Sequence, residues 1–224
     1  MVVGAPSVPT SRVPPFSPRG RPGFERLTRA DDGSRGARTC PEIWKYDRMS
    51  NREPSRALLI TGTVGAGKTS AAEAVGELLA DAGVPNAVVD LDWLGQSWPT
   101  PPGDPFNLEM TVRNLRAVAR NYWDAGVERL VLAGVAETGE ERARYREAVG
   151  VDLAVCRIRV EIPVVHRRLE RRHEGQEADL RWHLDRSGQL DRILTDAQVE
   201  DVVVDATDLA VPDVAAAVLK AVDW

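Results

Sequence analysis

The stretch Gly62-Thr63-Val64-Gly65-Ala66-Gly67-Lys68-Thr69 constrains what this chain can fold into more than any other. It satisfies G-x-x-x-x-G-K-[ST], follows an apolar run (Ala57-Leu58-Leu59-Ile60) and precedes a helical pattern from Ser70 to Ala82. Strand, glycine-rich loop and helix in that order make a phosphate-binding loop. Glycines let successive backbone N–H groups turn inward toward phosphate oxygens. The helix start adds the positive end of its dipole. Lys68 then suits the β- and γ-phosphates, and the Thr69 hydroxyl suits Mg²⁺. The bland alternative is a glycine-rich turn with an incidental lysine. Only three lysines (Lys45, Lys68, Lys220) stand among 29 basic residues, which counts against it. Residues 62–69, with Ser70, therefore imply a nucleoside triphosphate site, with ATP and Mg²⁺ as its cofactors.

At 224 residues the chain has room for one domain and an appendage, and 43% hydrophobic content suffices for a core. No apolar run approaches the roughly 20 residues that span a bilayer, so no membrane partner is expected. Cys40 and Cys156 have no metal or redox spacing. Cys156 lies in the apolar run 153–160 and reads as a buried thiol, which points to a reducing cytoplasm. The net charge of −5 is unevenly distributed. Residues 1–48 hold nine basic and five acidic residues, leaving 20 basic against 29 acidic beyond them. An acidic main domain argues against nucleic acid as the principal ligand, and none is expected as a partner.

Residues 1–48 are rich in Pro, Gly, Arg and Ser without a helical or strand period, and are read as a disordered tail. Met49, ahead of a short polar lead, is an alternative start, which makes residues 49–224 the folded domain. Five short apolar runs read as parallel strands buried on both faces: 57–61, 87–90, 129–135, 153–160 and 201–204. Helical patterns separate them at 68–82, 108–124, 140–148, 163–172 and 212–222. The expected fold is α/β, a mostly parallel five-stranded sheet with helices on both faces. Its ligands gather at the C-terminal edge of the sheet.

Two further constellations carry chemistry. Asp90 ends the second strand and Asp92 follows two residues on. One carboxylate can hold Mg²⁺ while the other takes a proton from an attacking hydroxyl; the bland alternative is a surface turn with a helix cap. The third strand ends Leu130-Val131-Leu132-Ala133-Gly134-Val135 without an acidic residue, and no N-K-x-D occurs, which speaks against a motor ATPase or a GTPase. In His166-Arg167-Arg168-Leu169-Glu170-Arg171-Arg172-His173, helical spacing puts Arg168 and Arg172 on one face. Guanidinium groups suit a phosphoryl group in transfer; the alternative is a solvated face paired with Glu170 and Glu174. The polar segment onward to about Leu190 reads as a mobile lid able to exclude water. Within it, His183 reads as solvent-facing or capping, and Asp185, Arg186 and Asp191 as surface pairs. Trp93 and Trp98 can stack on a planar substrate or cap the core.

These features, in this order over residues 56–222, resemble the P-loop small-molecule kinases: gluconate, shikimate and adenylylsulfate kinases and the chloramphenicol phosphotransferase-like proteins. Arg168-Leu169-Glu170-Arg171-Arg172 is similar to their lid motif, and Ala143-Arg144-Tyr145-Arg146 to a gluconate kinase helix. The resemblance implies a P-loop NTPase sandwich with a lid segment. It implies Asp90, with Thr69, for metal and Asp92 as base or substrate ligand. It implies Arg168, Arg171 or Arg172 for phosphate, and the loop 206–212, with Ala206 and Thr207, for the adenine. The catalytic set is then Lys68, Asp92, Arg168 and Arg172. The segment 93–105 matches no member's substrate signature. The expected activity is transfer of the ATP γ-phosphate to a small polar metabolite, nucleotide or drug hydroxyl. The alternative is an ATP-binding regulatory protein without catalysis. Acceptor and oligomeric state are left open.

Overall fold

A computed structural model describes residues 54–224. The tail 1–48, Cys40 and the alternative start at Met49 lie outside the described residues. Strands β1 (Arg56–Thr61), β2 (Asn86–Asp90), β3 (Arg129–Ala133), β4 (Asp152–Arg159) and β5 (Val202–Asp205) form one sheet in the order β2-β3-β1-β4-β5. Every neighbouring pair is parallel. The helices are α1 (Lys68–Asp81), α2 (Leu91–Leu94), α3 (Leu108–Asp124), α4 (Gly139–Val149), α5 (Ile162–Arg172), α6 (Glu177–Ala197) and α7 (Val211–Ala221).

The alternation of side chains along each strand divides two cores. Leu58 and Ile60 of β1, Val131 of β3 and Ile158 of β4 face a layer of α1, α5 and α7. Leu59, Leu130, Leu132 and Val155 face the opposite way, against α3 and α4. The strands are apolar at consecutive positions because both faces are covered. Burying each such side chain stabilises the fold by about 1.5–3 kcal/mol. The sheet therefore forms a rigid floor, and the loops at its C-terminal edge carry the polar residues.

The five strands and the helices at α1, α3, α4, α5 and α7 fall within two residues of the sequence expectations. The lid differs. The segment expected to be polar and mobile is largely a long helix, α6, with Ser187, Leu190 and Leu194 buried. Its apolar stripe is narrow and is interrupted by Ser187 and Asp191, so the helical period was hidden among charges. The buried Arg157 of β4 holds this helix from below. Its guanidinium donates to Asp191 Oδ1 (2.8 Å) and Thr195 Oγ1 (3.0 Å) and lies 3.5 Å from a Glu200 carboxylate oxygen. Asp191 thus belongs to a half-buried anchor and not to a surface pair.

Candidate active site

The phosphate-binding loop joins β1 to α1, and its backbone admits little but glycine. A Cβ on Gly62 would lie 2.5 Å from the Ile158 carbonyl oxygen of β4. Gly67, at φ 96°, turns the chain into α1. No side chain caps that helix start, so its first backbone N–H groups are left for an anionic ligand. Lys68 Nζ donates to the Thr63 carbonyl within the loop (3.2 Å). Burial holds the Lys68 ammonium below its ordinary pKa, and Arg172 lowers it further; Asp92 and Asp90 act in the opposite sense. Lys68, Asp90, Asp92 and Arg172 therefore share one electrostatic neighbourhood. Ser70, also expected to touch nucleotide, stands exposed in the first turn of α1.

The carboxylates meet the loop over the end of β3. Thr69 Oγ1 donates to Asp90 Oδ2 (2.8 Å), while Asp90 Oδ1 accepts from the Asp92 backbone N–H (3.0 Å) and so caps α2. The cap weighed from sequence uses one oxygen of the Asp90 carboxylate, and the Thr69 hydroxyl uses the other. A hydroxyl and a carboxylate, both hard oxygen donors, fit Mg²⁺ chemistry. Asp92, in the first turn of α2, keeps an exposed face beside Asp90. Its partial burial raises its pKa first, the neighbouring Asp90 charge raises it further, and Lys68 opposes both.

Two of the three candidate arginines turn toward this centre. Arg168 Nη1 donates to the Ala66 carbonyl of the loop (3.2 Å), and Arg172, one turn on, acts on Lys68. Val165 and Leu169 bury the intervening face of α5. Arg171 is exposed and makes no hydrogen bond or ion pair among the described residues. The loop after β5 ends earlier than expected, because Pro212 already lies in the first turn of α7. The Ala206 backbone N–H donates to Arg159 O (2.7 Å), and its side chain is buried. Thr207 Oγ1 accepts from the Glu161 backbone N–H (3.2 Å).

No protein-family model and no curated protein matches this sequence. Solved structures do. The tunicamycin resistance protein of Deinococcus radiodurans superposes at a TM-score of 0.56 with 21% identity, over 75% of this chain and 95% of that one. A shikimate kinase of Bacteroides thetaiotaomicron gives 0.51 and 18%, over 75% and 98%. A gluconokinase of Sinorhizobium meliloti gives 0.49 and 20%, over 77% and 94%. The chain has the fold of the P-loop small-molecule kinases. The resemblance drawn from the motifs and the fold agree.

Around this P-loop kinase fold the lid helix supplies contacts that sequence reasoning missed. Thr63 Oγ1 donates to the Ser187 carbonyl of α6 (2.5 Å), which joins the lid to the phosphate loop. Arg186, expected in a surface pair, instead bonds Glu137 in the β3–α4 connection. Its guanidinium also covers the Phe106 ring (5.1 Å). Glu137 is the first acidic residue after β3, which is the signal that could have found it. His183 is neither solvent-facing nor a cap. It stacks on the buried His173 (ring centroids 4.2 Å), and its Nδ1 lies 2.7 Å from the Asp179 carbonyl oxygen. Burial, chiefly, holds the His183 imidazole below its usual pKa. The two histidines are ten positions apart and meet only because the α5–α6 turn folds one back on the other.

Proposed function

We propose that this protein is an ATP-dependent phosphotransferase that moves the γ-phosphate to the hydroxyl of a small molecule. The observation that carries the reading is the convergence of Lys68, the Thr69–Asp90 pair and Asp92 at one sheet edge. ATP is the donor, bound along the loop 62–69. Mg²⁺, held by Thr69 and Asp90, would neutralise charge on the phosphate oxygens. Lys68 balances the charge on the transferring group, and Arg168 and Arg172 are placed to do so from the lid side. Asp92 orients the acceptor hydroxyl and takes its proton. The acceptor oxygen bonds to the γ-phosphorus, the bond to the β–γ bridging oxygen breaks, and ADP leaves. A pKa above the ordinary aspartate range makes Asp92 a better base than a solvated carboxylate.

Ala206 and Thr207 border the adenine in this reading, through their backbone, and Arg171 stands ready to reach phosphate. The buried free thiol of Cys156 supports a reducing, cytoplasmic setting. The neighbour described as a tunicamycin resistance protein makes a drug hydroxyl one acceptor to include in a screen. ADP release, measured with ATP·Mg²⁺ across sugars, nucleosides, hydroxy acids and antibiotics, tests the reading. Acceptor-dependent release is expected. Stoichiometric ATP binding with no acceptor-dependent release would contradict it and leave a nucleotide-binding regulator.

A further inference from the structure

Residues 95–107, between α2 and α3, form no regular element yet are clamped at their base. Asn107 Nδ2 donates to Gly95 O (2.8 Å), and Asn114 Nδ2 to Leu94 O (2.8 Å). The Asp104 carboxylate accepts from the backbone N–H groups of Leu108 (2.8 Å) and Glu109 (3.0 Å). A Cβ on Gly95 would come within 2.6 Å of Thr111 Oγ1, so the two ends meet closely. Such a closed-base loop is the kind of long connection that carries function. The clamp leaves aromatic surface in water. Trp93 is 55% exposed, Trp98 90% and Phe106 60%. Trp93 adjoins Asp92 in α2, and Phe106 lies under Arg186. Rings of this size favour contact with other flat or apolar groups over water.

Charge and hydrogen-bonding capacity narrow the occupant. Tyr145 of α4 is only 5% exposed, and its hydroxyl has no hydrogen-bond partner among the described residues. Burial raises its pKa, and Glu141, Asp92 and Asp104 are close enough to raise it further. The phenol is therefore a protonated donor within electrostatic reach of Asp92. Two arginines near this region are each engaged, Arg144 with Glu109 and Arg186 with Glu137. Glu141, Asp92 and Asp104 act against the single opposing charge of Arg144 at the phenol, so an anionic acceptor is disfavoured there, whereas a neutral polar group can accept from Tyr145.

We propose that the acceptor is an uncharged alcohol bearing a flat unsaturated ring, which packs against Trp93 and is covered by Trp98, with its hydroxyl at Asp92 and Tyr145. This rests on the phosphotransferase reading, from which a binding measurement separates it. The probes are phenyl glucoside and methyl glucoside, a matched pair differing in the ring, with gluconate as the anionic counterpart. Phenyl glucoside is expected to quench tryptophan fluorescence of the full chain, and Trp98→Ala to lose about tenfold in affinity. In ADP release, phenyl glucoside is expected to show a KM about tenfold below that of methyl glucoside. Trp98→Ala is expected to raise that KM more than it lowers kcat, and Trp98→Phe to restore it. Binding that follows this order without ADP release would uphold the ligand class while refuting the phosphotransferase. Equal binding of the two glucosides, or preference for gluconate over phenyl glucoside, would overturn the ligand class.

Discussion

In the proposed phosphotransferase, the donor and acceptor sides of the site are built in opposite ways. On the donor side the backbone does the recognising: Gly62 is pressed against Ile158 O, Gly67 turns the chain, and an uncapped helix offers N–H groups. Phosphate is the same in every nucleotide, so one backbone shape serves, and it can be written in eight residues. On the acceptor side recognition falls to side chains on a clamped loop, with Trp93, Trp98 and Phe106 exposed and Asp92 beside them. Acceptors differ, so that surface has no fixed spelling. One half holds a constant group, and the other selects a variable one.

The substitutions that separate the halves follow in order of expected effect. Lys68→Met should remove charge balance at the transferring group and lower kcat by about 10³-fold or more, read in acceptor-dependent ADP release. Asp92→Asn should lower turnover by about 100-fold while leaving ATP affinity, measured by calorimetry, nearly unchanged. Equal losses of ATP binding in both variants would erase the distinction between the halves.

Arg186→Met tests the contact that ties the lid to the acceptor side. It strands Glu137 without its cation and uncovers Phe106, so chemical denaturation should report a loss of about 3 kcal/mol. Double substitution with Glu137→Gln should recover part of that loss if the pair, and not the packing, is responsible.

The acidic limb of the kcat/KM profile is a smaller test. The base works when deprotonated, and the Asp92 pKa is raised by burial and by Asp90. Activity should therefore fall away at a higher pH than an ordinary aspartate, at about 3.9, would give. The weakest expected effect lies in the lid. His183 is held below its usual pKa in the folded chain, so the unfolded chain binds the proton more readily. Stability should be intact above pH ~6.5 and decline as pH falls below it. His183→Phe should flatten that decline in thermal melts at varied pH.

Much of this was legible in the sequence for reasons that differ from place to place. The strands were readable because burial on both faces leaves consecutive apolar residues, and the phosphate loop because it must be glycine at fixed positions. Asp90 and Asp92 were readable because they terminate a strand next to that loop. The helix α6 was not, because Ser187 and Asp191 interrupt its buried stripe, the Ser187 hydroxyl bonding Leu184 O and Asp191 holding Arg157. Arg186–Glu137 and His173–His183 were hidden because their partners meet only once the chain is folded.

The most direct test of the central claim is ³¹P NMR of the full chain with ATP·Mg²⁺ and the acceptor panel. The account predicts a new phosphomonoester resonance growing in step with ADP, and its disappearance in Asp92→Asn with ATP still bound. Tight ATP binding with no phosphomonoester from any acceptor, or its undiminished formation by Asp92→Asn, would contradict the account.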